Sequence, residues 1–322
     1  MQLGTAELMS PAAMADSPLS PWPSVTVIVA VRNGESSIAR CLHAVLAQDY
    51  PGPSPEVIAV DNGSTDGTLV VLNQFAPRVT TILEPRRGVS WARNAAIMTA
   101  CGEWLAFTDA DCVPQPRWLF ELVAMARANR EASFVGGRII ALPGSNSIAL
   151  FSEALFDQRR SILEERPPSF ISANLLACRA AILRFGMFNA AYLRGQDTEL
   201  AWRSCSRHGA RFVYAEAAIV EHKNPSTLLG LLRKAIQHGR GSAMLWRDFA
   251  DDHGLSIPRR LRQFKPFKDA LRETVVLLVV SRHASDGSHT GPRRLDAFYF
   301  AIFRLFRHLS FIHRTLLPEV DP

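Results

Sequence analysis

Two carboxylates one residue apart, Asp109 and Asp111, close the apolar run Trp104–Thr108, and Pro114 and Pro116 follow. A run of that length suits a strand buried on both faces. The prolines are expected to stop the extended structure. In an open parallel sheet, ligands sit outside the carboxyl ends of the strands. Two acidic groups there suit a hard divalent cation that also holds a phosphate, because such ions take oxygen ligands and keep open positions. The pair fits equally well as turn formers that cap the next helix. Asp61 ends a second apolar run and opens Asp61-Asn62-Gly63-Ser64-Thr65-Asp66-Gly67-Thr68. Its carboxylate either accepts from a base N–H or a ribose hydroxyl, or closes an Asx-turn.

These side chains need a frame. Val25–Val31 reads as a fully buried strand and Arg32-Asn33-Gly34 as the turn after it. Ile38, Cys41, Leu42, Val45 and Leu46 then recur at i, i+3, i+4, i+7 and i+8, one face of a helix that Ser36 or Ser37 can cap. Val57–Val60 and Val79–Leu83 read as strands around a short helix at 66–75. A helix after Arg86-Arg87-Gly88 carries Ala92, Ala95, Ala96 and Thr99 on one face, and Gly102 suits its C-terminal cap. Strand and helix alternate over 25–130, which predicts βαβ units and a mostly parallel sheet.

Beyond 130 the expected elements are a strand at Phe134–Ala141, one helix at Ile148–Ile162 and an extended stretch at Ile171–Cys178. A helical turn follows at Arg179–Phe185, then a helix from Gly195-Gln196-Asp197 to Gly209. Arg211–Ala215 and Ala218–Val220 read as two strands, the second closed by His222, and a helix runs from Ser226 or Thr227 to about Ala250. Gly136-Gly137 suits close passage of the backbone past a ligand, or a bulge or turn.

Composition narrows the class. The chain has 322 residues, 48% of them hydrophobic, enough for a real core. Its net charge of +6 is local: residues 259–322 hold twelve Lys/Arg against six Asp/Glu, and the rest balances. Cysteines 41, 101, 112, 178 and 205 are odd in number and form no C-x-x-C pair, which fits a reducing compartment with thiols packed as small hydrophobes and argues against a zinc site. Residues 1–23 lack Lys and Arg and any long apolar run, so they are expected to be a disordered segment and not a secretory signal. No apolar run reaches the ~20 residues of a spanning helix. Neither G-x-G-x-x-G after the first strand nor G-x-x-x-x-G-K-[ST] occurs, so a bound nucleotide must be held by another device.

In the tail, Leu295, Phe298, Tyr299, Ile302, Phe303, Leu305, Phe306, Leu309 and Ile312 keep helical spacing among Arg304, Arg307 and Arg314. Such a helix either lies on an anionic membrane surface or packs back on the chain or a second copy. Val275–Val280 is too short to span and reads as core. No nucleic-acid motif accompanies the basic charge.

Five segments in order resemble glycosyltransferase family 2, the inverting enzymes with a GT-A-type fold. They are VTVIVAVRNGESSIARCLHAVLAQDYP (25–51), EVIAVDNGSTDGT (56–68), RRGVSWARNAAI (86–97), GEWLAFTDADCVP (102–114) and GQDTELAWRSCSRHG (195–209). The resemblance implies an α/β, Rossmann-like, mostly parallel sheet at 24–245 with a basic helical extension at 246–322. It implies a nucleotide-sugar donor, with a bias to UDP, and transfer of one sugar to a glycan or lipid-linked acceptor.

By position, the resemblance implies that Asp61 meets the uracil or ribose, that Val31, Asn33 and Glu35 border that pocket, and that Arg93 lies near the nucleotide. Asp109 would face the ribose or donor sugar, and Asp111 would bind the Mg²⁺ or Mn²⁺ that bridges the diphosphate. His222 would add a metal or phosphate contact. Asp197 matches the general base that takes the acceptor hydroxyl proton, and at a helix start the dipole would favour its ionised form. The alternative for Asp197 is an N-cap. Ser172-Ala173-Asn174 resembles the family's stretch beside the acceptor, where Asn174 is either an acceptor-side contact to donor or acceptor, or a turn residue; Gln196 also falls on the acceptor side, where relatives often carry Glu. The Gln-x-x-Arg-Trp motif of processive synthases is absent, with only a partial echo in Gln237-His238-Gly239-Arg240-Gly241. The expected location is cytoplasmic, at the membrane's inner face if residues 259–322 bind there. Two other classes also use acidic residues at such sheets: nucleotidyltransferases and non-catalytic sugar-nucleotide binders.

Overall fold

The computed structural model describes residues 21–155, 157–249, 299, 302–307, 309–310 and 313. The described chain falls into two compact units. Those of Met1–Ile140, Asp157–Ala191 and Asp197–His222 form the first; those of Ala141–Phe156, Tyr192–Gln196 and Lys223–Pro322 form the second.

In chain order the elements are β1 (Val25–Val31), α1 (Ile38–Leu46), β2 (Glu56–Asp61), α2 (Thr68–Asn73), β3 (Thr80–Leu83), α3 (Val89–Thr99), β4 (Trp104–Asp109) and β5 (Cys112–Pro114). Then come α4 (Trp118–Ala128), β6 (Ala132–Ala141), α5 (Ser147–Leu155), α6 (Gln158–Leu163), β7 (Asn174–Cys178), α7 (Arg179–Arg184), α8 (Gln196–His208), β8 (Arg211–His222) and α9 (Leu228–Phe249). The strands make one sheet in the order β3-β2-β1-β4-β7-β6-β8-β5. β3, β2, β1 and β4 run parallel, and β7 pairs antiparallel with β4.

The apolar runs of β1, β2 and β4 are continuous because helices cover both faces. Val27, Val29, Val57, Ala59 and Ala106 pack with Ile38, Cys41, Leu42 and Val45 of α1. Ile28, Ile58, Val60, Leu105 and Phe107 pack with Ala92, Ala96 and Ile97 of α3. Each buried Val or Ile contributes about 1.5–3 kcal/mol of transfer free energy. That is why register here is strongly specified: a one-residue slip exchanges the two faces.

Several expectations need correction. The helix at 66–75 shrinks to α2, because the Asp66 carboxylate takes the Thr68 N–H at 3.1 Å and its hydroxyl at 2.5 Å and closes a local turn. Gly102 is not the cap of α3: the helix ends at Thr99 and Ala100 is its C-cap. A Cβ on Gly102 would sit 2.4 Å from the Thr26 amide nitrogen, so glycine lets this segment cross β1. Pro114 does not end the extended structure: it belongs to β5, whose place at the sheet edge tolerates a missing N–H. The expected helix at 148–162 is two, α5 and α6, with Asp157 capping α6 through the Arg160 N–H at 3.1 Å. The extended stretch begins at Asn174, after a turn over Ser172-Ala173. The two strands expected after 210 are the single β8. Trp22, placed in the disordered segment, packs its ring on Tyr50 and Phe120, so the packed chain begins before residue 24.

Gly136-Gly137 does allow a close approach, but to the protein's own chain. A Cβ on Gly137 would lie 2.4 Å from the Ala218 carbonyl and 2.5 Å from the Asn174 amide.

In the second unit, Phe151, Leu231, Ala235 and Phe303 form a small core, with Tyr299 and Phe306 against it. The tail's described aromatic residues thus pack back, the second of the two expected outcomes. Leu295, Phe298, Ile312 and Val275–Val280 lie outside the described residues. No helix among the described residues is long and apolar enough to cross a membrane.

Candidate active site

Parallel pairing sets three strand ends side by side. Val31 of β1 pairs with Asp61 of β2, and Ala30 pairs with Asp109 of β4. Asp61 is 6% exposed, and its carboxylate accepts the Ser64 N–H at 3.2 Å, a local bond three residues on in place of the expected Asx-turn. Asn33 has a φ of 51°, a left-handed conformation that Asn tolerates. Its Oδ1 accepts the Thr65 N–H at 2.8 Å, and Glu35 Oε2 accepts the Gly67 N–H at 3.0 Å. Both latch the loop after β1 to the loop after β2. Asn62 braces the same rim, donating to the Glu84 and Arg86 carbonyls and accepting the Gly88 N–H.

Arg93, in the middle of α3, is 4% exposed. Its guanidinium donates to Asp109 at 2.9 Å and to Asp197 at 3.2 Å. One cation therefore joins the end of β4 to the first turn of α8. Asp197 is not an N-cap: its Oδ2 accepts the Ser172 N–H at 3.0 Å and the Ser172 hydroxyl at 2.8 Å. The expected dominance of the helix dipole gives way to burial, which raises the Asp197 pKa above its ordinary value. Arg93 and the two Ser172 donors oppose that rise, and nearby Asp109 adds to it.

A second cluster forms where β5 pairs with β8. Cys112 stands opposite His222, which brings Asp111 to the same place. Asp111 Oδ1 lies 3.8 Å from His222 Nε2, and the ligand atoms of Asp111, Cys112 and His222 lie within 4.8 Å of one another. Burial, then the Asp109 and Asp111 carboxylates, push the Cys112 thiol well above its ordinary pKa. A hard divalent cation takes oxygen and nitrogen donors in preference to sulfur, so the donors best fitted to one are the Asp111 carboxylate and the His222 imidazole, with Cys112 beside them.

Two acceptor-side expectations fare differently. Asn174 is fully buried, and its amide is spent inside the fold. It accepts the Trp118 indole N–H at 2.8 Å and donates to the Arg138 and Ala218 carbonyls at 2.8 Å. Asn174 is a structural node, and the acceptor-side role is corrected on that ground. Gln196 opens α8, and its Oε1 is buried without a hydrogen-bond partner among the described residues.

The model of the family described as Glycosyl transferase family 2 matches residues 26–190, from β1 through α7 and across Asp61, Asp109 and Asp111. The chain belongs to glycosyltransferase family 2. It is 29% identical over 233 residues to glycosyltransferase AglE of Haloferax volcanii, covering 70% of this chain and 75% of that protein. It is 27% identical over 232 residues to the pre-mycofactocin glycosyltransferase of Mycobacterium tuberculosis, covering 69% of this chain but 47% of that longer relative. Among solved structures, the Pyrobaculum calidifontis mannosyltransferase PcManGT, in complex with GDP-Man and Mn²⁺, superposes with a TM-score of 0.54 at 21% identity, over 94% of this chain and 77% of that one. S. aureus TarS superposes with a TM-score of 0.51 at 16% identity, over 80% of this chain and 49% of that one. These likenesses place the chain in the GT-A-like α/β fold. This family 2 glycosyltransferase is a transferase enzyme.

Sequence reading missed Ser172 as the partner of Asp197 and Cys112 as a neighbour of the Asp111–His222 pair. For Ser172 the only signal was its place beside Asn174 in a segment already singled out. For Cys112 it was adjacency to Asp111.

Proposed function

We propose that this enzyme inverts the anomeric centre while moving one sugar from a nucleotide-diphosphate donor to a hydroxyl of a glycan or lipid-linked acceptor. The observation that carries the reading is Arg93 holding Asp109 and Asp197 together at 2.9 and 3.2 Å. It sets a base candidate beside the strand-end carboxylates, where a donor sugar would lie. Asp197 takes the proton of the acceptor hydroxyl, whose oxygen then bonds the anomeric carbon as the bond to the diphosphate breaks. Asp61, Val31, Asn33 and Glu35 border the base and ribose, and Asp109 faces the sugar. Gln196, with its orphan Oε1, remains the acceptor-side candidate.

Asp111 and His222 would hold the divalent cation. A mixed oxygen–nitrogen pair suits Mn²⁺ better than Mg²⁺, which prefers all-oxygen surroundings. Such an ion neutralises charge on the leaving diphosphate. PcManGT with GDP-Man and Mn²⁺, and TarS solved with UDP-GlcNAc, support a sugar-nucleotide donor, with uridine and guanosine both to be tested.

Thermal shift with UDP and GDP, with and without Mn²⁺, tests the donor site. Stabilisation that needs metal and is lost in Asp111→Asn is expected. If neither nucleotide stabilises the protein under any condition, the donor reading fails.

A further inference from the structure

We infer that Ser172 is a positioning residue for Asp197: its hydroxyl and amide lock one carboxylate oxygen, so that the acceptor proton is taken by the other. The inference rests on the base role proposed above for Asp197.

The geometry is specific. Oδ2 of Asp197 accepts two hydrogen bonds from one residue, at 3.0 Å from the backbone and 2.8 Å from the hydroxyl. Oδ1 accepts one, from Arg93 at 3.2 Å. A carboxylate oxygen offers two acceptor sites, so Oδ2 is saturated and Oδ1 keeps one free. Two bonds to Oδ2 and a third to Oδ1 also fix the carboxylate plane. A proton acceptor must be held within a few tenths of an ångström of its productive position, and this clamp does so without using the free site.

Ser172 is 1% exposed, so its hydroxyl has no solvent to exchange with. It sits in the turn before β7, the turn closed by the Asn174 N–H on the Ile171 carbonyl at 3.2 Å. That strand is pinned through the Asn174 amide to the Trp118 indole and the Ala218 carbonyl. The clamp thus rides on a buried node and not on a free loop. The charged groups facing Asp197 are Arg93 from α3 and Asp109 from β4, and the Ser172 segment contributes none. Both Ser172 donors favour the ionised form, as does Arg93; burial opposes them.

The test is a carboxyl titration of Asp197 by ¹³C-aspartate NMR, assigned by the resonance missing in Asp197→Asn. Ser172→Ala removes one donor to the ionised form, so the midpoint is expected to move upward. Ser172→Thr keeps the hydroxyl and is expected to restore the wild-type midpoint. Ser172→Cys, a near-isosteric weak donor, is expected to fall between and serves if the alanine variant does not fold. A residue that only supports the turn would lower the Tm without moving the midpoint, and that outcome overturns the inference. Hydrolysis of UDP-N-acetylglucosamine and GDP-mannose, with water as acceptor, separates the two readings. A loss on the order of tenfold in Ser172→Ala, against near-complete loss in Asp197→Asn, is expected from misplacing a base. If Asp197→Asn keeps its hydrolysis, the base role fails while the titration result stands.

Discussion

At the residue scale, Asp197 is a carboxylate under opposing influences. Burial favours its neutral form; Arg93 and Ser172 favour its ionised form. The net effect is a raised pKa, so the sign of the pH dependence follows. A base must be ionised to act, and activity should fall as pH drops through a midpoint above the ~3.9 of a free aspartate. The acid limb of kcat/KM against pH checks this; a limb at or below that value would contradict it. Asp197→Asn keeps shape but removes the base, and should lower turnover by about 10²–10⁴ while donor affinity stays within about twofold. His222→Ala removes the nitrogen donor opposite Asp111. It should abolish the metal-dependent part of the nucleotide's thermal shift; because the imidazole is only 17% exposed, that shift is read against the variant's own metal-free Tm.

At the element scale, β7 is the hinge between the parallel half of the sheet and the rest, and Asn174 is what pins it. The Asn174 amide links Trp118 of α4, Arg138 of β6 and Ala218 of β8. Truncating it strands an indole N–H and two carbonyls in the interior. Asn174→Ala should cost about 2–4 kcal/mol in urea unfolding. The folded variant at low temperature should retain both donor binding and turnover, one of which loss of a donor or acceptor contact would lower. Gly137→Ala presses on the same node, since its Cβ meets the Ala218 carbonyl at 2.4 Å, and backbone there cannot yield cheaply. A loss of about 1–3 kcal/mol is expected by the same measurement.

At the scale of the whole molecule, charge and apolar surface are distributed differently from what the tail's periodicity suggests. Phe303 is 4% exposed and packs with Phe151, Leu231 and Ala235 inside the second unit. Tyr299, Phe303 and Phe306 are therefore already used, which leaves the six-charge excess of residues 259–322 as the feature that an anionic surface would attract. Binding of the full chain to anionic vesicles should be reversed by about 0.5 M salt, since screening at that strength shortens the reach of exposed charges to a few ångströms. Flotation that survives the salt would mean that apolar surface is inserted. Phe303→Ala should cost about 3–5 kcal/mol of the second unit's stability by calorimetry.

The parallel half of the fold, and the acids at its strand ends, were legible in the order of the residues alone. Apolar runs too short for helices, separated by segments of helical period, admit one arrangement, and strand direction then puts Asp61 and Asp109 on one edge. Those are local signals, read within about ten residues. The ordered motifs likewise pointed to the family before any coordinate was known. Which of these groups meet was settled by the packing of the folded chain. Arg93 and Asp197 are 104 positions apart, and nothing in either neighbourhood names the other. His222 meets Asp111 only because a three-residue strand, which two prolines seemed to forbid, pairs at the sheet edge. Asn174 looked like an acceptor contact because its type and segment fit one, yet burial and three partners made it a structural node. The reason is the same in each case. Periodicity reports which face of an element is buried, whereas partner choice depends on strand order and register across the sheet, which the chain settles only on folding.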